Sequence, residues 1–275
     1  MIFYFSGTGN SRFVAFSMGN ALNEKTCFIP SYIPEKLEFE GSHLGFVFPV
    51  YSWGVPSLAE DFISRLSESF CRHVKAREIP IWGIFTCGDD TGMAPEILKH
   101  ILARRGLEMK GAWSVTMPNT YVLLPGFNVD TPEIRDSKLD AAPERIDHIA
   151  TRIKASKWET DVVRGNLPWF KSRIIYPIFR RWGIIPSRWH WTSECIGCEL
   201  CAAACPTDNI QIRSRHPHWG SNCISCLACY HSCPVHSVGY GNITRTKGQY
   251  LCPLSNTKPT PSIPHSSSAN RNTGI

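Results

Sequence analysis

Eight of the chain's 12 cysteines fall into two short runs of one pattern. The first reads Cys195-Ile-Gly-Cys198-Glu-Leu-Cys201-Ala-Ala-Ala-Cys205-Pro206, the second Cys223-Ile-Ser-Cys226-Leu-Ala-Cys229-Tyr-His-Ser-Cys233-Pro234. Each is C-x2-C-x2-C-x3-C-P. Three closely spaced thiolates can wrap one corner of an iron–sulfur cubane, and a fourth just before proline can reach a second one. Zinc prefers four ligands in one closed tetrahedron, usually from separated C-x2-C pairs, and two runs of three plus one fit that poorly. A disulfide framework fits worse, because Met1 leads straight into Ile-Phe-Tyr-Phe and a turn by Ser6 with no leader pattern. Two [4Fe–4S] clusters are the expected cargo of these runs.

A second stretch carries different chemistry. Ile2 to Phe5 is an apolar run that stops at Ser6-Gly7-Thr8-Gly9-Asn10-Ser11, and Phe13, Val14, Met18 and Leu22 follow at helical spacing. A strand, a glycine-bearing turn and a helix N-terminus aim backbone N–H groups at one point, which suits an anion. A Walker loop would need Gly-Lys-Ser/Thr, and there is no such lysine. The dinucleotide fingerprint would need a third glycine where Arg12 stands. The fixed positions of Ser/Thr-x-Thr-Gly-x-Ser/Thr all match, and this is the form flavodoxins use for the phosphate of FMN. A plain strand–helix turn would account for the glycines alone.

The elements that must position these groups are legible from periodicity. Strands are expected at 44–50, 79–86 and 111–117, with helices carrying Leu58, Phe62 and Leu66, then Ile97, Leu98, Ile101 and Leu102, and last a helix over 140–156. Repeated strand–helix units mean a parallel sheet with right-handed crossovers, and ligands in such sheets bind beyond the carboxyl ends of the strands. At 275 residues the chain has room for two cores. Its 43% hydrophobic and 19% charged content describes a globular protein without a membrane-spanning run. Twelve cysteines without a leader point to a reducing cytoplasm. The formal charge of +6 is mild and hints at acidic partners.

The first 156 residues resemble a flavodoxin, and the cysteine runs resemble a bacterial two-cluster ferredoxin. Together they resemble the bacterial flavodoxin–ferredoxin fusions known as EFR-type ferredoxins. The fold expected is a doubly wound parallel α/β sheet over 1–156 followed by an α+β ferredoxin domain over 192–245. By the ferredoxin rule Cys195, Cys198, Cys201 and Cys233 hold one cluster, while Cys223, Cys226, Cys229 and Cys205 hold the other. The resemblance implies that Ser6, Thr8, Gly9, Asn10 and Ser11 hold the FMN phosphate. It also implies that the loops Tyr51-Ser52-Trp53-Gly54 and Cys87-Gly88-Asp89-Asp90 flank the flavin ring. Trp53 or Tyr51 would stack on the ring. The second loop has no aromatic residue, so one flavin face is left open or is covered by the ferredoxin half. Cys87 reads as a small packed residue, and the segment from Pro118 to Asp136 as a lid at the flavin edge.

Residues 157–191 interleave basic and aromatic residues, among them Trp169, Phe170, Arg173, Arg180, Arg181, Trp182, Trp189 and Trp191. Pro168, Pro177 and Pro186 are expected to interrupt any long helix there. Packing between domains is favoured over contact with a membrane surface through 169–191, and no nucleic-acid module is visible. Residues 246–275 read as a disordered tail rich in Pro, Ser, Asn and Thr. His216, His218, His231 and His236 read as packing or surface groups, because cysteine fills every cluster position. FMN takes electrons in pairs and releases them singly, whereas each cubane carries one at a time. The function expected is an electron relay between a flavin and two clusters that exchanges electrons with other redox proteins. The alternative is a flavin-dependent reductase of a small oxidised acceptor fed through the clusters. The direction of flow stays open.

Overall fold

The structure, a computed structural model, describes residues 1–255. In chain order its first part runs β1 (Ile2–Tyr4), α1 (Asn10–Leu22), β2 (Thr26–Phe28), β3 (Leu44–Pro49), α2 (Ser57–Ser64), α3 (Glu68–Ala76), β4 (Ile81–Cys87), α4 (Ala94–Ala103), β5 (Met109–Thr116), α5 (Pro132–Lys154) and β6 (Thr160–Asp161). The six strands form one parallel sheet in the order β2-β1-β3-β4-β5-β6. This is the flavodoxin-like α/β arrangement. Alternation along each strand sorts side chains to two cores. Phe3, Phe5, Phe46, Phe48 and Phe85 face one side, against Phe62, Ile63, Phe70 and Leu98 of α2, α3 and α4. Ile2, Tyr4, Val47, Trp82, Ile84 and Trp113 face the other, against Val14 and Met18 of α1 and Ile146, Ile149 and Ile153 of α5. Strands this apolar on both faces belong in the middle of a covered sheet.

The second part continues α6 (Pro168–Phe170), a π-helical turn (Lys171–Ile175), α7 (Tyr176–Trp182), β7 (Trp189–Trp191), α8 (Leu200–Ala203), β8 (Ile210–Arg213), β9 (His216–Trp219), α9 (Ala228–His231) and β10 (Val238–Tyr240). β7 pairs antiparallel with β10, and β8 with β9. Ser214 and Arg215 join that hairpin, both with positive φ, as a two-residue hairpin turn that matches strand twist requires. Trp189, Ile210, Leu227, Tyr230, Val238 and Tyr240 pack with four of the cysteines into a third core, which Val122 and Leu123 of the first part join.

Two expectations need correction. Pro177 does not end a helix: α6, the π-turn and α7 form one continuous helical run from Pro168 to Trp182. Proline lacks an N–H and its ring crowds the carbonyl four residues back, and the wide π-turn immediately before Pro177 absorbs that conflict. The start of the expected tail is also placed. Tyr250 and Cys252 are buried in the core beneath α1 and α5, and the remainder of 246–275, from 256 on, lies outside the described residues. Of the stretch read as a bridge, Thr160–Asp161 completes the large sheet, 168–182 packs on its strand-end loops, and 189–191 joins β10.

Candidate redox sites

The eight run cysteines gather in two cavities. Cys195, Cys198, Cys201 and Cys233 line one, with Ile212, Val235 and Val238 around them. Cys205, Cys223, Cys226 and Cys229 line the other, with Trp189, Trp219, Ile224 and Leu227. Each run therefore gives three sulfurs to its own cavity and its last, pre-proline sulfur to its neighbour's. Short helices α8 and α9 start from Glu199 and Leu227, both in the left-handed region, and set the third cysteine of each run. Backbone N–H groups of Asn209 and Ser237 donate to the sulfurs of Cys205 and Cys233 at 3.3 and 3.2 Å. That of Ser225 donates to Cys223 at 3.5 Å. Four sulfurs with amide donors behind them and an apolar wall suit a cubane.

Burial pushes the Cys201 thiol up to about 11, and the thiols of Cys223, Cys226 and Cys229 upward as well. These sulfurs become thiolates only when a metal's positive charge replaces the proton. Cys198 is exposed, and Ile196 and Leu200 beside it show apolar surface. The first cavity thus meets solvent at Cys198, whereas in the second Cys229 is buried and Cys226 half-buried.

An open cleft lies at the carboxyl edge of the large sheet, where ligands of parallel α/β sheets bind. Thr8, Asn10 and Ser11 line it from the glycine loop, Tyr51 from the loop after β3, and Cys87 and Gly88 from the loop after β4. Ser6 turns inward to accept the Gly9 N–H at 3.0 Å, and Ser11 Oγ lies 2.8 Å from Thr86 Oγ1. Gly9 has φ of 100°, which only glycine adopts without strain. Gly7 lies so close to the Cys226 carbonyl that a Cβ there would collide with it. The loop after β3 doubles back at once, with Tyr51 and Gly54 exchanging backbone bonds of 3.0 Å across Ser52 and Trp53.

That tight turn carries Trp53 away from the cleft. Its ring lies under the Lys171 ammonium, 4.9 Å from the centroid, and its carbonyl accepts from Ser172 at 2.7 Å. Gly54 is capped by the Tyr176 ring, and Tyr176 donates to Val55 at 2.6 Å. Of the expected contacts, Ser6, Gly9, Ser52, Trp53, Gly54 and Asp89 are not part of the cleft wall. Asp89 instead accepts from Asn119 at 3.3 Å, and Asp90 pairs with Lys171 at 2.7 Å. Tyr51 is the aromatic residue of this loop on the wall, and burial beside Cys226 and Cys223 holds its hydroxyl protonated. Burial, with Asp90 and Asp89 nearby, pushes the Cys87 thiol up to about 12, so it stays a thiol.

Among the wall residues that sequence reasoning did not assign to the site, three are instructive. Thr86 is hidden inside a strand run, and Tyr121 comes from the segment after β5, whose aromatic content marked it only as a lid. Cys226 arrives from the other half of the chain and lines both this cleft and the second cysteine cavity. No local pattern could have announced that meeting.

The C-terminal segment ties the two parts together over the glycine loop. Tyr230 donates to the Lys247 carbonyl at 2.8 Å, and Gln249 donates to the Tyr230 carbonyl. Tyr250 donates through its hydroxyl to Asn10 at 2.8 Å, and Cys252 through its N–H to the Thr8 carbonyl at 2.8 Å. His231 accepts the Tyr250 N–H at Nδ1 (3.1 Å) and meets the Thr120 carbonyl at Nε2 (2.8 Å). Because a backbone N–H can only donate, Nδ1 is bare and Nε2 carries the proton. Burial holds the His231 pKa down at about 4.

Residues 189–211 match a family model described as a 4Fe-4S binding domain, and residues 220–241 match a second model of the same description. The C-terminal part therefore carries two ferredoxin-type 4Fe–4S binding domains, behind a flavodoxin-like sheet. Iron–sulfur electron transfer is the activity such domains serve. Among solved structures, the Trp repressor binding protein from Bacillus subtilis is similar at 16% identity with a TM-score of 0.37, over 55% of this chain and 96% of that one. No curated protein matches the chain. Among the described residues no helix is long and apolar enough to cross a membrane.

Proposed function

We propose that the cleft binds FMN, that the two cysteine cavities hold one [4Fe–4S] cluster each, and that the chain relays electrons between these centres and partner redox proteins. The observation that carries this reading is Cys226, a wall of the cleft and of the second cavity at once. A residue shared by the two walls sets their contents one side chain apart. The cleft offers loop N–H groups with the hydroxyls of Thr8 and Ser11 for a phosphate, and apolar Pro49, Val50, Tyr51 and Met117 for a ring. It has no lysine or arginine on its wall, which suits a monophosphate held by neutral donors. When bound, FMN would supply exchange between paired and single electrons.

The chain's own residues set the order of the relay. Gly7 and Cys226 bring cleft and second cavity into van der Waals contact. The crossed ligands Cys205 and Cys233 link the second cavity to the first. Exposed Cys198, with Ile196 and Leu200, gives the first cavity the outlet to a partner. Hydrogen bonds to Cys205, Cys223 and Cys233 stabilise charge on the sulfurs, and the tryptophans and aliphatic residues exclude water.

Anaerobic purification with counts of FMN, iron and sulfide tests the inventory. One FMN and about eight irons per chain are expected from the ligand number, and zinc without sulfide would sink the cluster assignment. Unaltered FMN content in a Ser6/Thr8/Ser11 triple alanine variant would remove the loop assignment. Reduction of small acceptors at full speed without any protein partner would convert the relay into a reductase.

A further inference from the structure

The helical run from Pro168 to Trp182 has two faces, and the fold explains one of them. Ser172 and Tyr176 are buried, tied to Trp53, Met93 and Val55, while Lys171 and Arg180 pair with Asp90 and Glu60. On the other face Phe170, Ile174, Ile178 and Trp182 recur every fourth residue and are 48%, 40%, 50% and 66% exposed. A four-residue repeat drifts around a 3.6-residue helix, and the wide π-turn at Lys171–Ile175 offsets that drift. The four side chains therefore stay in one stripe. Trp169 and Leu167 extend it at its start, also exposed. Arg173 and Arg181 each stand one residue before a stripe position, are exposed, and form no ion pair among the described residues. Tyr121 touches both Phe179 of α7 and Phe127, so a loop with exposed Leu124 and Phe127 flanks the helix.

Single exposed apolar residues need no explanation, but a contiguous stripe on a firmly anchored helix does. We propose that this face docks the protein on an anionic lipid bilayer, with the helix lying flat in the headgroup region. Three features fit that occupant together. Trp169 and Trp182 stand at the two ends of the stripe, and indoles favour the headgroup level. The isoleucines between them can enter the acyl boundary, and Arg173 and Arg181 complement lipid phosphates with charge that no carboxylate among the described residues neutralises. The run reaches only about 22 Å, short of the ~30 Å hydrocarbon core, and its other face is fixed to the sheet loops, so it lies on the bilayer without crossing it. The loops it packs on, at 51–55 and 90–93, adjoin the cleft, so the docked face stands beside the cleft rim.

Flotation of the cofactor-loaded full chain tests this, with vesicles of phosphatidylcholine alone and of phosphatidylcholine mixed with phosphatidylglycerol. The chain floats with the mixed vesicles, less with the neutral ones, and less again at raised salt. Ile174→Asp and Ile178→Asp each weaken partition by about tenfold or more, the factor that burying one such side chain supplies. Arg173→Gln with Arg181→Gln removes the preference for anionic vesicles and leaves neutral binding unchanged. Those arginines are exposed, so this pair reads out the face even if the aspartate variants fold poorly. Three results overturn the proposal: no flotation of the unaltered chain with mixed vesicles, flotation that survives both aspartates, or a dimer broken by Ile178→Asp in a chain that never floats. The last would assign the face to a second copy.

Discussion

His231 joins both halves of the molecule, and its charge state sets how firmly. Its neutral ring is satisfied on both nitrogens, by the Thr120 carbonyl and the Tyr250 N–H. A proton at Nδ1 would face that N–H donor against donor, in a site where burial already lowers the pKa from 6.5 to about 4. The unfolded chain takes up the proton near pH 6.5, the folded chain only near pH 4, so stability falls as pH drops from 6.5 towards 4 and is insensitive to this group below that. From these two values the loss is slight at pH 7 and on the order of 1 kcal/mol at pH 5.5. Urea unfolding followed by tryptophan fluorescence at the two pH values measures it against a His231→Gln variant, which cannot titrate. The variant is less stable at pH 7 by roughly 1–3 kcal/mol, since one buried backbone group loses its partner, but its stability changes less between pH 7 and 5.5. Equal pH slopes in the two proteins would refute the reasoning.

Other expectations follow from single contacts. Gly7→Ala drives a Cβ into the Cys226 carbonyl, and the transfer of electrons from reduced flavin to the clusters, followed by stopped-flow absorbance, becomes slower while far-ultraviolet circular dichroism is preserved. Tyr250→Phe deletes the bond to Asn10, which lowers stability by about 1 kcal/mol and weakens FMN retention on gel filtration. Cys198→Ala opens the exposed corner of the first cavity, so iron falls by about half while FMN is retained. Cys205→Ala should leave the paramagnetic signature of a lost second cluster, matching Cys223→Ala, because the two share a cavity despite lying in different runs.

Much of this arrangement was legible because it is written in local spacing. The cysteine runs place three sulfurs by helix and turn geometry, and the alternation of Phe3, Phe5, Phe46 and Phe48 with Ile2, Tyr4 and Val47 sorts a covered sheet unaided. What could not be read depends on meetings between distant segments. Trp53 and Tyr51 look alike as candidate ring partners, and only the doubling back at Ser52 separates them, sending Trp53 to Lys171. Pro177 carries the usual signal of a helix break, and a π-turn has no sequence signature to oppose it. Strand β2 and helix α3 were missed because three residues and nine residues give periodicity little to work on. The placement of 246–255 eluded composition, since its key bond is backbone to backbone, from Cys252 to Thr8.

That last bond sets a schedule. The loop at residues 6–11 is made long before residues 252 and 250, from which Thr8 and Asn10 receive their partners. Pairings so remote in sequence form late, after the intervening units have folded. The nascent flavodoxin-like unit therefore leaves the ribosome with its glycine loop still open, and the C-terminal segment closes over it only once the cysteine-rich unit has taken shape, because that segment also leans on Tyr230 and His231. Closure of the loop thus reports that the chain has been made as far as residue 252, and a chain that stops short of it lacks this lock.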